Sequence, residues 1–101
     1  MKKALARLDS DAASPIRLTE LAELARISRY QMLRAFVREV GATPHAYLVQ
    51  RRIYLARRLL AAGRRIVDAA MDAGFADQSH LTRAFVRQFG VTPGQYVAAC
   101  A

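Results

Sequence analysis

The chain has 101 residues and a formal net charge of +8, from 16 Lys+Arg against 8 Asp+Glu. Its length fits one domain, or two very small ones that share a core, and 53% hydrophobic with 24% charged residues argues against disorder. A single cysteine, Cys100, excludes a disulfide-stapled scaffold, and the lack of an apolar run of ~18–20 residues or a signal peptide leads us to expect a cytoplasmic protein without membrane contact.

Capping residues and glycines divide the sequence into about seven predicted helices, which makes the expected fold class all-α. The 20 alanines agree with this prediction, because Ala has the highest helix propensity. Gly41, Gly63, Gly74 and Gly90 follow predicted helix ends, where a positive φ is needed. The predicted helices are residues 2–12, 20–26, 29–40, 44–62, 66–73, 77–89 and 93–98.

The third predicted helix, 29–40, follows a loop at Ser14-Pro15 and the short second helix. Ser28 and Gln31 have the spacing of a capping box. At 100° per residue, one side of this helix is apolar and the other is polar. The inward set is Met32, Ala35, Phe36 and Val40, the outward set is Tyr30, Gln31, Arg34, Val37 and Arg38, and Leu33 lies at the border.

The fourth predicted helix, 44–62, begins at Thr43-Pro44, which place a capping hydroxyl before proline at the first helical position. Its apolar residues cover more than half of its circumference, so it can pack on two sides. Its 19 residues would span about 28 Å. If the positive charge of the chain serves to bind DNA, this length is close to the ~34 Å between successive major grooves on one face of B-DNA. Arg51 and Arg58 share one face and would then meet the DNA backbone.

The sixth predicted helix, 77–89, begins at Asp77, a strong N-cap candidate. It has the same two-sided pattern as the third helix. The inward set is Leu81, Ala84, Phe85 and Phe89, the outward set is Ser79, His80, Arg83, Val86 and Arg87, and Thr82 lies at the border. Thr92 and Gln95 repeat the capping-box spacing at the start of the seventh helix.

The sequence repeats itself at an offset of 49: residues 34–47 align with 83–96, with nine of 14 positions identical. The chain is therefore predicted to contain two related units of roughly 45 residues, each with a short helix, a turn and a longer helix, which is helix-turn-helix spacing. Two copies are too few for a stacked solenoid.

The two outward faces keep their arginines, Arg34 matching Arg83 and Arg38 matching Arg87, but differ at Tyr30/Ser79 and Gln31/His80. This pattern is expected if the helices 29–40 and 77–89 enter two major grooves with different base steps. The alternative is that the variable positions are unconstrained surface. Residues 40–67 hold six arginines and no acid. By itself this distribution fits an ordinary solvated surface better, but together with the repeat it favours a polyanionic partner. GC-rich coding is an alternative source of the Arg excess over Lys.

The segments AGFADQSHLTRAF at 73–85 and FGVTPGQY at 89–96 resemble the signature of the AraC/XylS family of bacterial transcription regulators. The first unit, from Leu21 to Phe36, matches more loosely. The resemblance implies a DNA-binding domain with two homeodomain-like helix-turn-helix subdomains, 1–43 and 63–101, joined by a linker helix at 44–62. It also implies promoter DNA and RNA polymerase as partners, no cofactor, and a place at the nucleoid.

Carried over by position, the resemblance implies a set of base contacts to promoter DNA. These are Tyr30, Leu33, Arg34, Gln78, Ser79, His80, Thr82 and Arg83. A second set is predicted to contact the DNA backbone; it is not part of this carry-over and consists of Ser28, Arg29, Arg38, Arg51, Arg58 and Arg87.

The chain departs from the family pattern at two places. Arg26 stands where the first turn usually has Gly, so we expect this turn to be strained or reshaped. Val37 and Val86 stand where Lys is common, so two phosphate contacts are expected to be missing unless Arg38 and Arg87 replace them. No segment resembles the sensor or dimerisation domain that family members usually carry, which leaves a stand-alone regulator or a fragment as alternatives.

Other classes of function agree less well with the sequence than sequence-specific regulation does. An enzyme is not expected, because His45, His80 and Cys100 lack metal-ligand spacing and no phosphate-binding glycine loop is present. A non-specific or architectural nucleic-acid-binding module, or the DNA-binding part of a larger repair or regulator fusion, remains the alternative. A membrane-surface helix fits less well, because the arginines of 44–65 project in several directions.

Overall fold

The structure, a computed structural model, describes residues 1–100, and this part of the chain contains seven α-helices and no strand. The prediction of an all-α fold with about seven helices is confirmed. The helices are α1 (Lys2–Ser10), α2 (Leu18–Ala25), α3 (Arg29–Val40), α4 (Pro44–Ala61), α5 (Ile66–Asp72), α6 (Gln78–Phe89) and α7 (Pro93–Cys100).

Helix ends agree best with prediction where a side chain or a glycine fixes them. α3 has its predicted bounds, and α6 begins one residue later than predicted because Asp77 is its N-cap and lies outside the helix. α4 ends at Ala61 rather than 62, just before Gly63, whose φ is +94°. α5 ends at residue 72 rather than 73 because Ala73 is its C-cap.

The helix ends without a clear sequence signal were predicted less well. α2 begins at Leu18 rather than 20, and its N-cap, Arg17, provides no side-chain hydrogen bond that could have marked the start. α1 ends at Ser10 rather than 12; the Ser10 hydroxyl donates to the carbonyl oxygen of Arg7 at 3.1 Å and closes the last turn. α7 continues to Cys100 rather than stopping at 98.

The chain divides within α4 into two compact units, the first from Met1 to Val49 and the second beginning at Gln50. In the first unit, the apolar sides of α1, α2, α3 and the start of α4 form one core. Met32 and Phe36 of α3 are fully buried, and the Phe36 ring meets the edge of Tyr47 at a centroid distance of 5.7 Å. The buried members of this core are Ala4, Leu8, Leu21, Ala22, Met32, Phe36 and Leu48.

Two polar contacts join helices of the first unit around this core. The Tyr47 hydroxyl donates to Asp9 Oδ1 at 2.7 Å, and Arg7 Nε lies 2.6 Å from Glu20 Oε2. Both contacts lie at the edge of the unit, since among residues 1–100 no polar or charged residue is buried. The contacts therefore orient the helices, while apolar burial supplies most of the stability.

The second unit buries the remainder of α4 against α5, α6 and α7. The Phe85 ring lies 4.7 Å from that of Phe89 and 5.6 Å from that of Tyr96, and Tyr54 meets Phe89 at 5.8 Å. These edge-to-face contacts connect three helices through aromatic side chains. The buried apolar residues of this unit are Ile53, Ala56, Leu60, Ala69, Ala70, Ala73, Phe75, Leu81, Ala84 and Phe85.

Candidate nucleic-acid interface

The outer face of α3 is polar and cationic, as the helical periodicity predicts. Met32 and Phe36 are buried on one side, while Tyr30, Arg34 and Arg38 are exposed on the other. Burial of the apolar side fixes the rotation of the helix about its axis, so the side chains opposite to the core must face away from the unit. Val40 and Ala35, predicted inward, are half-buried.

Leu33, at the border of the two faces of α3, is half-buried. It lines a small apolar pocket of the first unit together with Leu21 and Leu48. Part of the Leu33 side chain therefore faces the interior of the unit, and only the remainder is accessible beside the outer face.

A reciprocal pair of hydrogen bonds fixes the start of α3. The backbone N–H of Gln31 donates to Ser28 Oγ at 3.1 Å, and the backbone N–H of Ser28 donates to Gln31 Oε1 at 2.9 Å. The predicted capping box is thus present. The amide oxygen of Gln31 is used in the cap. Capping therefore explains why residue 31 is a glutamine, whereas helical periodicity identifies it only as an outward residue.

The start of α6 is capped differently, by a carboxylate. Asp77 Oδ1 accepts from the backbone N–H of His80 at 2.7 Å, as the sequence predicts for an N-cap at this position. Position 80 corresponds to position 31 of the first unit, and a box partner is not required there because Asp77 carries a full negative charge at the positive end of the helix. The difference between Gln31 and His80 therefore partly reflects two kinds of cap.

His80 is less outward than the helical periodicity predicts. It is half-buried, and its ring meets the edge of the Phe75 ring at a centroid distance of 5.2 Å and an angle of 89°. Phe75 is buried in the turn before α6, so it draws the imidazole toward the unit. Helical periodicity could not predict this contact, because Phe75 lies before the N-cap Asp77 and is outside the helix that carries His80.

Gln78, Ser79, Thr82 and Arg83 border one open depression on the outer side of α6. Leu81 and Phe85 are fully buried on the opposite side. Four of the five residues that the family resemblance implies as base contacts in the second unit thus lie together on one surface.

The turn before α3 contains the one non-glycine residue with positive φ among residues 1–100. Arg26 has φ +58° and ψ +42°, and the backbone N–H of Ile27 donates to the carbonyl oxygen of Ala22 at 3.1 Å. This hydrogen bond is typical of a Schellman motif, which normally has Gly at the left-handed position. The turn is therefore strained rather than reshaped: Arg26 adopts the backbone of the glycine it replaces, at a cost of roughly 1 kcal/mol.

The turn before α6 has the same motif with one residue more. Gly74 has φ +93°, and the backbone N–H of Phe75 donates to the carbonyl oxygen of Ala70 at 2.9 Å. Ala76 then separates Phe75 from the N-cap, whereas Ile27 precedes Ser28 directly. The extra residue explains why the alignment at an offset of 49 does not continue upstream of the two N-caps.

The arginines divide into those with an acidic partner and those without. Arg65 Nε lies 3.2 Å from Asp68 Oδ2, and Arg64 pairs with Asp72. By contrast, in the part of the chain that the structure describes, four guanidinium groups on the outer faces of α3 and α6 form no ion pair. These are Arg34, Arg38, Arg83 and Arg87. The two outer faces therefore present uncompensated positive charge to the solvent.

The guanidinium of Arg34 has an aromatic contact instead. Its Cζ lies 5.6 Å from the centroid of the Tyr30 ring, one helical turn earlier on the same exposed face. This distance is within the range of a cation–π interaction. The corresponding positions of α6 are Ser79 and Arg83, which lack an aromatic ring at the earlier position.

The arginines of α4 have different surroundings, and the sequence alone did not distinguish the exposed ones from those that are partly buried. Arg51 and Arg58 are exposed, as expected for backbone contacts. Burial lowers the pKa of Arg52 below its ordinary value. Arg57 lies between two rings, 5.0 Å from the centroid of Tyr54 and 5.2 Å from that of Phe89, so its role is in the packing of the second unit.

Residues 1–100 contain no group of three or more His, Cys, Asp or Glu side chains that could hold a metal ion. None of the helices described is long and apolar enough to cross a membrane. Ser28 and Arg29, which are predicted backbone contacts, lie exposed at the start of α3.

Known proteins resemble this chain in sequence and in fold. A family model described as a helix-turn-helix domain matches residues 21–99. YbfI of Bacillus subtilis strain 168, an uncharacterised HTH-type transcriptional regulator, is 44% identical over 74 residues, which are 73% of this chain and 27% of YbfI. The chain thus spans about a quarter of the length of this curated relative.

Solved structures resemble this chain in fold. A transcriptional regulator with an AraC-type DNA-binding domain from Chromobacterium violaceum has a TM-score of 0.89 and 26% identity, covering 99% of this chain and 90% of the other. The DNA-binding domain of the global transcriptional factor AdpA, crystallised with a target DNA, has a TM-score of 0.90 and 28% identity, covering 97% of this chain and 89% of the other.

Proposed function

This chain belongs to the AraC-type family of helix-turn-helix DNA-binding domains, and from this premise we propose that it binds promoter DNA sequence-specifically through α3 and α6. Each of these helices enters a major groove with its outer face, and the two grooves follow one another along the duplex. The proposed domain organisation is a first helix-turn-helix subdomain at 1–43, a linker helix at 44–62 and a second helix-turn-helix subdomain at 63–101.

The observation that carries this proposal is that each of the two helices has two arginines without an ion pair, at equivalent positions. Arg34 and Arg38 on α3 correspond to Arg83 and Arg87 on α6, and each pair lies opposite a buried apolar side. Arginine is suited to bidentate contact with guanine edges and phosphates. An exposed guanidinium that has no carboxylate partner among residues 1–100 can bind the anionic duplex without first breaking an ion pair with them.

The proposed base contacts come from the outer faces and their borders. In the first unit they are Tyr30, Leu33 and Arg34; in the second they are Gln78, Ser79, His80, Thr82 and Arg83. His80 and Leu33 are half-buried, so we propose that they contribute less contact area than the exposed arginines.

The proposed backbone contacts flank these faces. They are Ser28, Arg29, Arg38, Arg51, Arg58 and Arg87. Val37 and Val86 are exposed beside them, at 43% and 40% of their full surface, and provide apolar contact where related domains would have a charge. The structure of AdpA with a target DNA supports double-stranded DNA as the ligand, and RNA polymerase is a proposed further partner by family likeness.

A second candidate is non-specific or architectural binding of nucleic acid. The exposed Arg51 and Arg58 in an acid-free stretch favour it, since contacts to phosphates carry no sequence information. The two candidates differ in the ratio of affinities for a preferred duplex and for random DNA at physiological salt.

Selection of bound duplexes from a random pool, followed by footprinting, tests the proposal. Sequence-specific binding predicts a shared sequence among the recovered duplexes and two protected major-groove segments about one helical turn, or 10–10.5 base pairs, apart. Specific complexes are typically 10³–10⁷ times tighter than non-specific ones. Recovery of unrelated sequences, with an affinity ratio near one, would favour the architectural candidate.

A further inference from the structure

We infer that Tyr30, which the family resemblance places among the base contacts, acts in this chain mainly as a positioning residue that holds the Arg34 guanidinium for base recognition. The inference rests on the proposed function and assigns a role within it. It concerns the first unit only, because the second unit has Ser79 in the place of Tyr30.

The side chains of Tyr30 and Arg34 lie in contact with each other on the exposed face of α3. Arg34 Cζ lies 5.6 Å from the Tyr30 ring centroid, and the residues are four apart on α3. Side chains at this spacing lie one above the other on a helix. Tyr30 sits in the first helical turn, where the hydrogen bonds between Ser28 and Gln31 fix the backbone.

The exposure of the Tyr30 ring excludes a role for it in the core. Its exposure is 68%, and the core side of α3 is formed by Met32 and Phe36. An aromatic ring exposed to this extent contributes little to folding, and its described contact in this structure is with the guanidinium. Its effect is therefore expected in binding and not in stability.

A held guanidinium binds better than a free one because less side-chain entropy is lost on contact. An arginine side chain loses rotamer entropy when a contact holds it in one geometry, and preorganisation reduces the part of this entropy that binding must remove. The cation–π contact at an exposed site corresponds to about a 2- to 5-fold effect. Bidentate contact with a guanine edge depends on orientation, so the effect should concern discrimination between bases as well as affinity.

The duplication within the chain provides the comparison. Arg83 occupies the position of Arg34 on α6, and it has a serine one turn earlier. Arg83 therefore lacks a ring of this kind at the position of Tyr30. The inference predicts a ring-dependent contribution to base discrimination for Arg34 and none for Arg83.

The test compares Tyr30→Phe and Tyr30→Leu, each with Arg34 present and in an Arg34→Ala background. Binding is measured on a duplex recovered by selection and on versions of it changed at single base pairs, and the Arg34→Ala background is the matched control. We expect Tyr30→Leu to lower discrimination at the base pair that depends on Arg34 by about 2- to 5-fold. Tyr30→Phe, which keeps the ring, should retain it, and Tyr30→Leu should have no further effect without Arg34.

Two results would overturn the inference. An equal loss from Tyr30→Leu with and without Arg34 would show that Tyr30 contacts DNA by itself, and an equal loss from Tyr30→Phe would assign the effect to the hydroxyl group. The thermal midpoint of both variants is measured alongside to identify a folding defect, and Tyr30→Phe keeps the test decisive if the leucine variant is unstable. Failure of the unsubstituted chain to select any sequence would instead contradict the proposed function.

Discussion

The backbone N–H of Gln31 donates to Ser28 Oγ while Gln31 Oε1 accepts from the backbone N–H of Ser28, so each residue satisfies a donor of the other at the start of α3. The first turn of the helix would otherwise leave these donors to water. The pair thus connects local sequence to the orientation of the outer face, because Tyr30 lies between its members.

Loss of the capping hydroxyl should destabilise the first unit. Ser28→Ala removes the acceptor for the Gln31 N–H, and we expect a decrease of about 1 kcal/mol in the free energy of unfolding. Ser28→Asn retains an acceptor and should remain close to the unsubstituted chain. Denaturant unfolding followed by circular dichroism provides the measurement, and equal stability of the alanine and asparagine variants would contradict a capping role.

The glycine at the end of α6 should resist substitution for reasons of backbone conformation alone. Gly90 has φ +76°, and a Cβ added there would meet nothing within 4 Å. Gly90→Ala is therefore expected to cost about 1 kcal/mol from left-handed strain and not from a clash.

Gly94 is the matched control for this prediction, because it lies in α7 without a positive φ and an added Cβ would meet only Thr92 Oγ1 at 3.9 Å. Gly94→Ala should be neutral or slightly stabilising, since alanine has the higher helix propensity. A larger loss at Gly94 than at Gly90 in the same unfolding experiment would refute the explanation from backbone strain.

Arg34→Ala and Arg83→Ala should each weaken binding to a selected duplex by about 1–3 kcal/mol and relax the preference at one base pair. The reason is the loss of a bidentate contact to a base edge, which a phosphate contact cannot replace. Gel-shift titrations on the selected duplex and on a scrambled one measure both effects. If binding to the scrambled duplex falls by the same factor, the arginines contact the backbone instead.

Arg51→Ala should weaken binding to all duplexes about equally and lower the salt slope by ~1, because one phosphate contact and its released counterion are lost. Arg65→Ala serves as the control, since Arg65 is paired with Asp68 at 3.2 Å. Its slope should not change. Affinities measured over a series of salt concentrations give the slopes, and an Arg51→Ala slope equal to that of the unsubstituted chain would remove Arg51 from the interface.

Much of the fold could be predicted because its signals are local. The bounds of α3 follow from Ser28, Gln31 and Gly41, and the burial of Met32 and Phe36 follows from helical periodicity. A capping hydrogen bond between residues three apart depends only on their side chains and on the local helix geometry, so it can be predicted from the sequence. The start of α2 was missed for the same reason, since Arg17 offers no capping side chain.

The contacts that the sequence left undecided join residues from different elements. The half-burial of His80 depends on Phe75, and the packing of Arg57 depends on Phe89, 32 positions later. A charge count treats all 14 arginines alike, but tertiary packing gives Arg64 and Arg65 acidic partners and places Arg57 against two aromatic rings.

The sequence by itself therefore determined the helices, the duplication and which side of each helix faces outward, because these depend on spacing along the chain. Only the tertiary structure decided which outward residues are fully accessible and which cations are uncompensated. Those properties depend on side chains brought together across turns and between helices, and their free energies are realised only when the cores have formed.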